Sequence, residues 1–254
     1  MANSRSGDSV IERLVRVLAT FDAEHTAQTP SDIARRAELP ASTAHRMVAD
    51  LIEAGLLERD EDGRARVGMR LWELATRGSL ALGLRQAALP AMEKVQAALR
   101  QHTQLGVFDD DQVLFLERLS HPDAGANIAR IAGRLPLHAS SSGLVLLAAA
   151  PPEVLERVLA APLHGLAPDT VTDPTALRRK LAEVRSLGFA AAPGSVEAVS
   201  TGIAVPVRDR GVVVAALGVV LPREGADEHR AVAVLRAAAQ EIEETLTRSP
   251  SAFG

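Results

Sequence analysis

The sequence predicts an α+β fold in two parts: a small helical unit that ends in a hairpin, then a larger unit of antiparallel strands and helices. Three observations predict it. Apolar residues recur at three- and four-residue spacing through residues 9–54, and the pattern then changes to two short strand-like runs around Asp62-Gly63. Helical spacing resumes over 69–103. Beyond 103, strands and helices come in clusters rather than in strict alternation, which favours an antiparallel sheet.

Composition bounds the function. The 254 residues are enough for two ordinary domains, and 47% hydrophobic with 24% charged residues is a globular balance. Cysteine is absent, which excludes disulfides, thiolate metal ligands and a cysteine nucleophile and agrees with a reducing cytoplasm, the expected location. The opening MANSRSGDSVIERL lacks the apolar core of a signal peptide. The longest apolar run, GVVVAALGVVLP at 211–222, is too short to span a bilayer, so no membrane partner is expected. Net charge is −4, and residues 1–70 hold ten Arg against twelve Asp and Glu, a net of −2. Any contact with DNA must therefore come from where the arginines sit, not from total charge.

Each element follows from local pattern. Ile11, Leu14, Val15, Leu18 and Phe21 share one helical face, opened by a Ser9/Glu12 capping box. Ser31 is the expected N-cap of a second helix, with Ile33, Ala34 and Ala37 inward and Leu39-Pro40 as its end. A third helix runs from Ser42 to about Ala54, with Ala44, Met47, Val48 and Leu51 inward and Gly55 as its stop. LLERDEDGRARVG is then strand, turn and returning strand. A linker helix is expected over 71–84, between a first domain at 1–70 and a second at 85–254. A further helix covers 85–103, with Pro90 either starting its second part or kinking it.

In the second part, TQLGVFDDDQVLFLERL reads as two strands around Asp109-Asp110-Asp111, and ANIARIAG (126–133) as another. RLPLHASSSGLVLLAAA is a loop entering a buried helix. Two helices follow, PPEVLERVLAA and DPTALRRKLAEVRSLG, the second capped by Asp173. GIAVPVRDRGVVVAALGVVLP is a hairpin around Asp209-Arg210-Gly211, and DEHRAVAVLRAAAQEIEETLTR closes the chain as an amphipathic helix.

Two constellations carry chemistry. In a helix-turn-helix, the second helix of the motif enters the major groove and its N-terminal residues meet base edges. Those residues here are Ser42, Thr43, His45 and Arg46, and Arg46 can reach a guanine edge. Arg64 and Arg66 flank the hairpin turn, where a wing meets the backbone, and Ser31 at the start of the preceding helix completes the candidate DNA-binding set. The competing reading is a plain three-helix bundle. In the second constellation, Ser140, Ser141, Ser142 and Gly143 open an apolar helix, whose free N–H groups attract an anion, with His138 as a further donor. The competing reading is ordinary capping.

A serine esterase with an accessory helical domain is the alternative from another class. It is disfavoured because no G-x-S-x-G elbow exists and because adjacent Ser and His in one loop do not make a triad. Phosphate-loop and dinucleotide glycine motifs are absent, and no two histidines stand at i, i+4, so neither a metal site nor a cofactor is expected.

Four stretches, in this order and spacing, resemble IclR-type transcriptional regulators over nearly the full length: LPASTAHRMVADLIEAGLLERD, VGMRLWELA, LPLHASSSGLVLLAA and IAVPVRDRGVVVAALGVVLP. The resemblance implies a winged helix-turn-helix, a linker helix and a GAF-like effector domain. It implies double-stranded DNA and a small organic effector, commonly an acid, as partners of a homodimer or a dimer of dimers. The effector is expected beside the LPLHASSSG loop, with its apolar part against Leu105, Val107, Leu116, Leu135 and Ile203. Two departures stand out: Leu144 replaces the family's usual Lys after the glycine, and PGSVEAVSTG lacks the usual Gly-Glu.

Overall fold

The computed structural model describes residues 8–77, 79–122, 124, 131–225 and 227–248. The chain divides into two compact units, Met1–Ser79 and Leu80–Gly254.

In the first unit, α1 (Val10–Leu18) begins in the capping box: the Ser9 N–H donates to Glu12 Oε2 at 2.6 Å, and the Glu12 N–H donates to Ser9 Oγ at 3.1 Å. The predicted apolar face of this helix splits. Leu14, Leu18 and Phe21 pack on the core around a buried Val17, whereas Ile11 and Val15 are exposed. A two-residue strand, β1 (Ala27–Gln28), follows. Helix α2 (Pro30–Arg36) is capped by Thr29 with Pro30 at its first position, which corrects the expected cap: Ser31 lies inside the first turn. After α2, Glu38 adopts φ 53, a left-handed turn residue ahead of buried Leu39 and Pro40. Helix α3 (Ala41–Glu53) has the predicted inner stripe and ends at Gly55, whose φ of 73 suits a residue without Cβ. Strands β2 (Leu57–Arg59) and β3 (Ala65–Val67) form the expected hairpin, and β1 adds to it in the order β1-β3-β2. The sequence pattern missed β1, because two residues carry no alternation.

The expected single linker helix over 71–84 is two pieces. Helix α4 (Met69–Thr76) ends with Arg77 extended, and α5 (Leu80–Leu99) begins in the second unit. The break follows Thr76, where Arg77 leaves helical geometry for an extended conformation. Pro90 lies inside α5.

The second unit is built on a six-stranded antiparallel sheet. Its strands are β4 (His102–Asp109), β5 (Gln112–Leu119), β6 (Arg134–Pro136), β7 (Ala190–Pro193), β8 (Ser200–Asp209) and β9 (Val212–Pro222), in the order β6-β5-β4-β9-β8-β7. Residues 126–130 of the expected ANIARIAG strand lie outside the described residues; Ile131 and Ala132 form a turn, and the strand is Arg134–Pro136. Helices α6 (Ser141–Ala149), α7 (Pro152–Ala160), α8 (Pro174–Leu187) and α9 (Glu228–Arg248) complete the unit. Asp173 caps α8 as expected, accepting from the Ala176 N–H at 2.7 Å.

Both faces of the sheet are covered. On one, Leu105, Ile203, Val205 and Leu217 pack against α5 and α9. On the other, Val113, Phe115, Ala204 and Ala216 meet α6, α7 and α8. Helix α6 is apolar nearly all round and is buried from Ser141 to Leu147, between the sheet and α8. Its first turn presses on the preceding loop: a Cβ on Gly143 would lie 2.3 Å from the Leu137 carbonyl oxygen. Gly143→Ala is therefore expected to destabilise the second unit by about 1–3 kcal/mol. An unchanged urea midpoint for that unit would show that the loop yields freely.

Candidate functional site

The first unit presents its polar groups along the start of α3 and on the wing. Ser42, His45 and Arg46 are exposed and Thr43 is half-buried, because Ala44, Met47 and Val48 take the inward positions. Pro40 precedes the helix and supplies no side-chain cap, so the first N–H groups of α3 stay open to an acceptor such as phosphate. The wing tip is pre-ordered. Asp60 accepts from the Asp62 and Arg64 N–H groups at 3.0 and 2.8 Å, and Gly63 takes φ 76.

The arginines are not equivalent. Among the described residues, the guanidinium groups of Arg46 and Arg64 have no partner. Arg66 differs from expectation: its Nε pairs with Glu58 Oε1 at 2.8 Å across β2 and β3. That pair is exposed and contributes at most about 1 kcal/mol, so it weakens rather than removes Arg66 as a phosphate contact. Arg59 is held by the Gly63 carbonyl at 2.9 Å. Ser31 is exposed on α2, away from any capping role.

In the second unit a cleft lies at the start of α6. It is walled by Ser140, Ser141 and Ser142, by Gln104, Gly202 and Val220 of the sheet, and by Leu135. Ala192, Val196, Glu197 and Ser200 close it from the β7–β8 side. Its empty volume, including space open to solvent, is about 410 Å³.

The three serines do different things. Ser140 is the cap, its Oγ accepting from the Gly143 N–H at 3.1 Å. That N–H is therefore not free, contrary to expectation. Ser141 and Ser142 sit against glycines of the sheet: a Cβ on Gly202 would come within 2.8 Å of Ser141 Oγ, and one on Gly218 within 3.2 Å of Ser142 Oγ. Among the described residues, nothing accepts from the Ser141 or Ser142 N–H groups. These two, not Gly143, are the open donors of the helix.

Several expected residues lie elsewhere. Leu105, Val107, Leu116 and Ile203 do share one face, but it is the α5/α9 face, opposite the cleft. Strand alternation places Gln104 and Gly202 on the α6 face instead. His138 is buried and contacts the His164 carbonyl oxygen through Nε2 at 3.0 Å, which ties two loops together. Sequence reasoning missed Gln104, Glu197, Ser200 and Gly202. One signal pointed to the face that α6 covers: Gly202, Ala204, Ala216 and Gly218 share a phase, and only small residues let a helix lie so close to a sheet.

The β7–β8 loop is fixed from outside. Ser195 Oγ donates to the Ala139 carbonyl oxygen at 2.7 Å, and Thr170 Oγ1 donates to the Ser195 carbonyl oxygen at 2.5 Å. Arg223 pairs with Asp169 at 2.5 Å and donates to the Ala198 carbonyl oxygen at 3.2 Å. Arg223, which is not among the residues that line the cleft, is thereby engaged by Asp169. Among the described residues there is no cluster of metal-ligating side chains, and no helix is long and apolar enough to cross a membrane.

Comparison with known proteins matches both units. Residues 10–61 match the IclR helix-turn-helix domain, and residues 80–244 match the C-terminal domain of the bacterial transcriptional regulator IclR. The regulator XynR of Escherichia coli is 31% identical over 206 residues, 78% of this chain and 79% of its own. The glycerol operon regulatory protein of Streptomyces coelicolor is 29% identical over 243 residues, 93% of this chain and 95% of its own. Among solved structures, an IclR homologue from Microbacterium hydrocarbonoxydans, crystallised with 4-hydroxybenzoate, is 60% identical. It covers 95% of this chain and all of its own, with a TM-score of 0.91. These relatives are regulators, not esterases. The chain belongs to the IclR family of transcriptional regulators: a helix-turn-helix unit that binds DNA, followed by a ligand-binding unit.

Proposed function

We propose that this chain is a homodimeric regulator whose affinity for its operator is set by a small aromatic monocarboxylate bound in the α6 cleft. The observation that carries the ligand class is the 4-hydroxybenzoate held by a relative 60% identical over 95% of this chain. The cleft supports it with two open N–H groups at a helix start, where the helix dipole also favours an anion. In titration calorimetry, 4-hydroxybenzoate is expected to bind the parent chain. Ser141→Asp puts a negative charge where the carboxylate would sit, and is expected to abolish that binding while DNA binding without ligand survives. Undiminished affinity in the variant would place the ligand elsewhere.

On the DNA side, Arg46 serves as the base reader and Arg64 as a phosphate contact of the wing. The operator is obtained by selection from random duplexes, and fluorescence anisotropy then compares variants at several salt concentrations. Arg46→Ala is expected to cost about 1–3 kcal/mol at the operator and to relax preference at one base position. Arg64→Ala is expected to weaken all sequences alike and to lower the salt slope by about one. Unchanged binding by both variants would remove them from the interface.

The dimer is supported by apolar surface that the first unit leaves open: Val10, Ile11 and Val15 on α1, and Met69, Trp72 and Leu74 on α4. A two-fold pair would set recognition helices on half-sites about 34 Å apart, or a multiple of that. It would act in the cytoplasm, where the DNA is. Light scattering is expected to give a dimer or a dimer of dimers at micromolar protein, and Ile11→Glu with Trp72→Glu is expected to reduce the mass. A monomeric parent would contradict this assembly.

A further inference from the structure

One side chain that lines the cleft carries a donor with no partner among the described residues. Gln104 is 6% exposed, and its side-chain Nε2 is buried without an acceptor. Its neighbour Leu105 turns to the α5/α9 face, so Gln104 points to the α6 face, where it lines the cleft beside Ser141 and Ser142. Leaving a buried amide donor unpaired is destabilising unless something else pairs with it. Three donor groups without an acceptor among the described residues therefore belong to residues that line one cleft: the N–H groups of Ser141 and Ser142, and the Gln104 amide.

The same cleft is poor in positive charge. Glu197 is the one titratable side chain among its described lining residues, and no described cation pairs with it. Arg223 is engaged by Asp169, and position 144 is a buried leucine. A single carboxylate is well served by the three donors. A second anionic group has only Glu197 left to meet, and like charges in a narrow cleft repel strongly. A neutral O–H or N–H at that place has an acceptor instead.

We propose that the cleft selects a monocarboxylate that also carries a neutral hydrogen-bond donor. The Gln104 amide donates to the carboxylate, and the Glu197 carboxylate accepts from the second group and rejects dianions. This rests on the aromatic-acid reading above and adds to it the two residues that set specificity.

The test is calorimetry on the full chain with 4-hydroxybenzoate, benzoate and benzene-1,4-dicarboxylate. The parent is expected to bind 4-hydroxybenzoate about tenfold more tightly than benzoate, and the dicarboxylate at least a hundredfold more weakly. Glu197→Gln is expected to bring benzoate within about threefold of 4-hydroxybenzoate and to improve dicarboxylate binding about tenfold or more. Gln104→Met keeps the side-chain volume and removes the unpaired donor. It is expected to weaken both monocarboxylates about tenfold while raising the melting temperature of the ligand-free chain. A merely structural Gln104 would lower that temperature. The proposal is overturned if Glu197→Gln leaves the ratios fixed, if Gln104→Met leaves affinity unchanged, or if the parent binds the dicarboxylate as well as 4-hydroxybenzoate. If the parent binds none of the three acids, the aromatic-acid reading falls and this one with it. If it binds 4-hydroxybenzoate but the variants change nothing, only the assignment of Gln104 and Glu197 falls.

Discussion

The first turn of α6 rests almost directly on the sheet, and Gly202 and Gly218 make that approach sterically feasible. No larger residue fits under Ser141 without displacement, since even a Cβ at Gly202 would press on the serine hydroxyl. The rest of the second unit follows from this seat. An apolar helix placed there can bury all its faces, between the sheet and α8. Its start lies beside Gln104 and under the β7–β8 loop, which Ser195 and Arg223 hold in place. The cleft is what remains between the helix start, the sheet and that loop. Serine suits the position for the same reason glycine suits the sheet: it is small.

Much of the fold was legible because it is decided locally. The capping box at Ser9 and Glu12, the stop at Gly55, the Asp62-Gly63 turn and the Asp173 cap each need only a few consecutive residues. The errors have a different cause. β1, β6 and β7 are two to four residues long, too short for period-two alternation to register. The break after α4, where Arg77 is extended, falls inside an otherwise helical pattern. The cleft was only half legible. The helix start, Leu135 and the serines were readable from sequence, but Leu105, Val107, Leu116 and Ile203 lie on the α5/α9 face, away from the cleft. Alternation states which residues share a face. It does not state which helix covers that face when both sides are apolar. Leu105 and Ile203 look like pocket walls for the same reason that they are core.

The DNA-binding unit shows why net charge was a poor guide. Its arginines outline a surface only after the pairs are removed. Arg35 and Arg36 are held by Asp32 and Asp22, Arg59 by the wing backbone and Arg66 by Glu58. Arg46 and Arg64 are left with open guanidinium groups, one on the recognition helix and one on the wing. A unit with a net negative charge can thus present a specific cationic pair, at the cost of weaker long-range attraction.

On the proposed function, ligand in the α6 cleft and operator on the α3 surface bias one equilibrium. A ligand changes DNA affinity only if it binds two arrangements of the protein unequally. Linkage makes this testable without knowing the sign of regulation. The affinity for 4-hydroxybenzoate is measured with and without saturating operator, and the affinity for operator is measured with and without saturating 4-hydroxybenzoate. The account predicts that both change, by the same factor and in the same direction. An affinity for 4-hydroxybenzoate that is identical on free and operator-bound protein would contradict it.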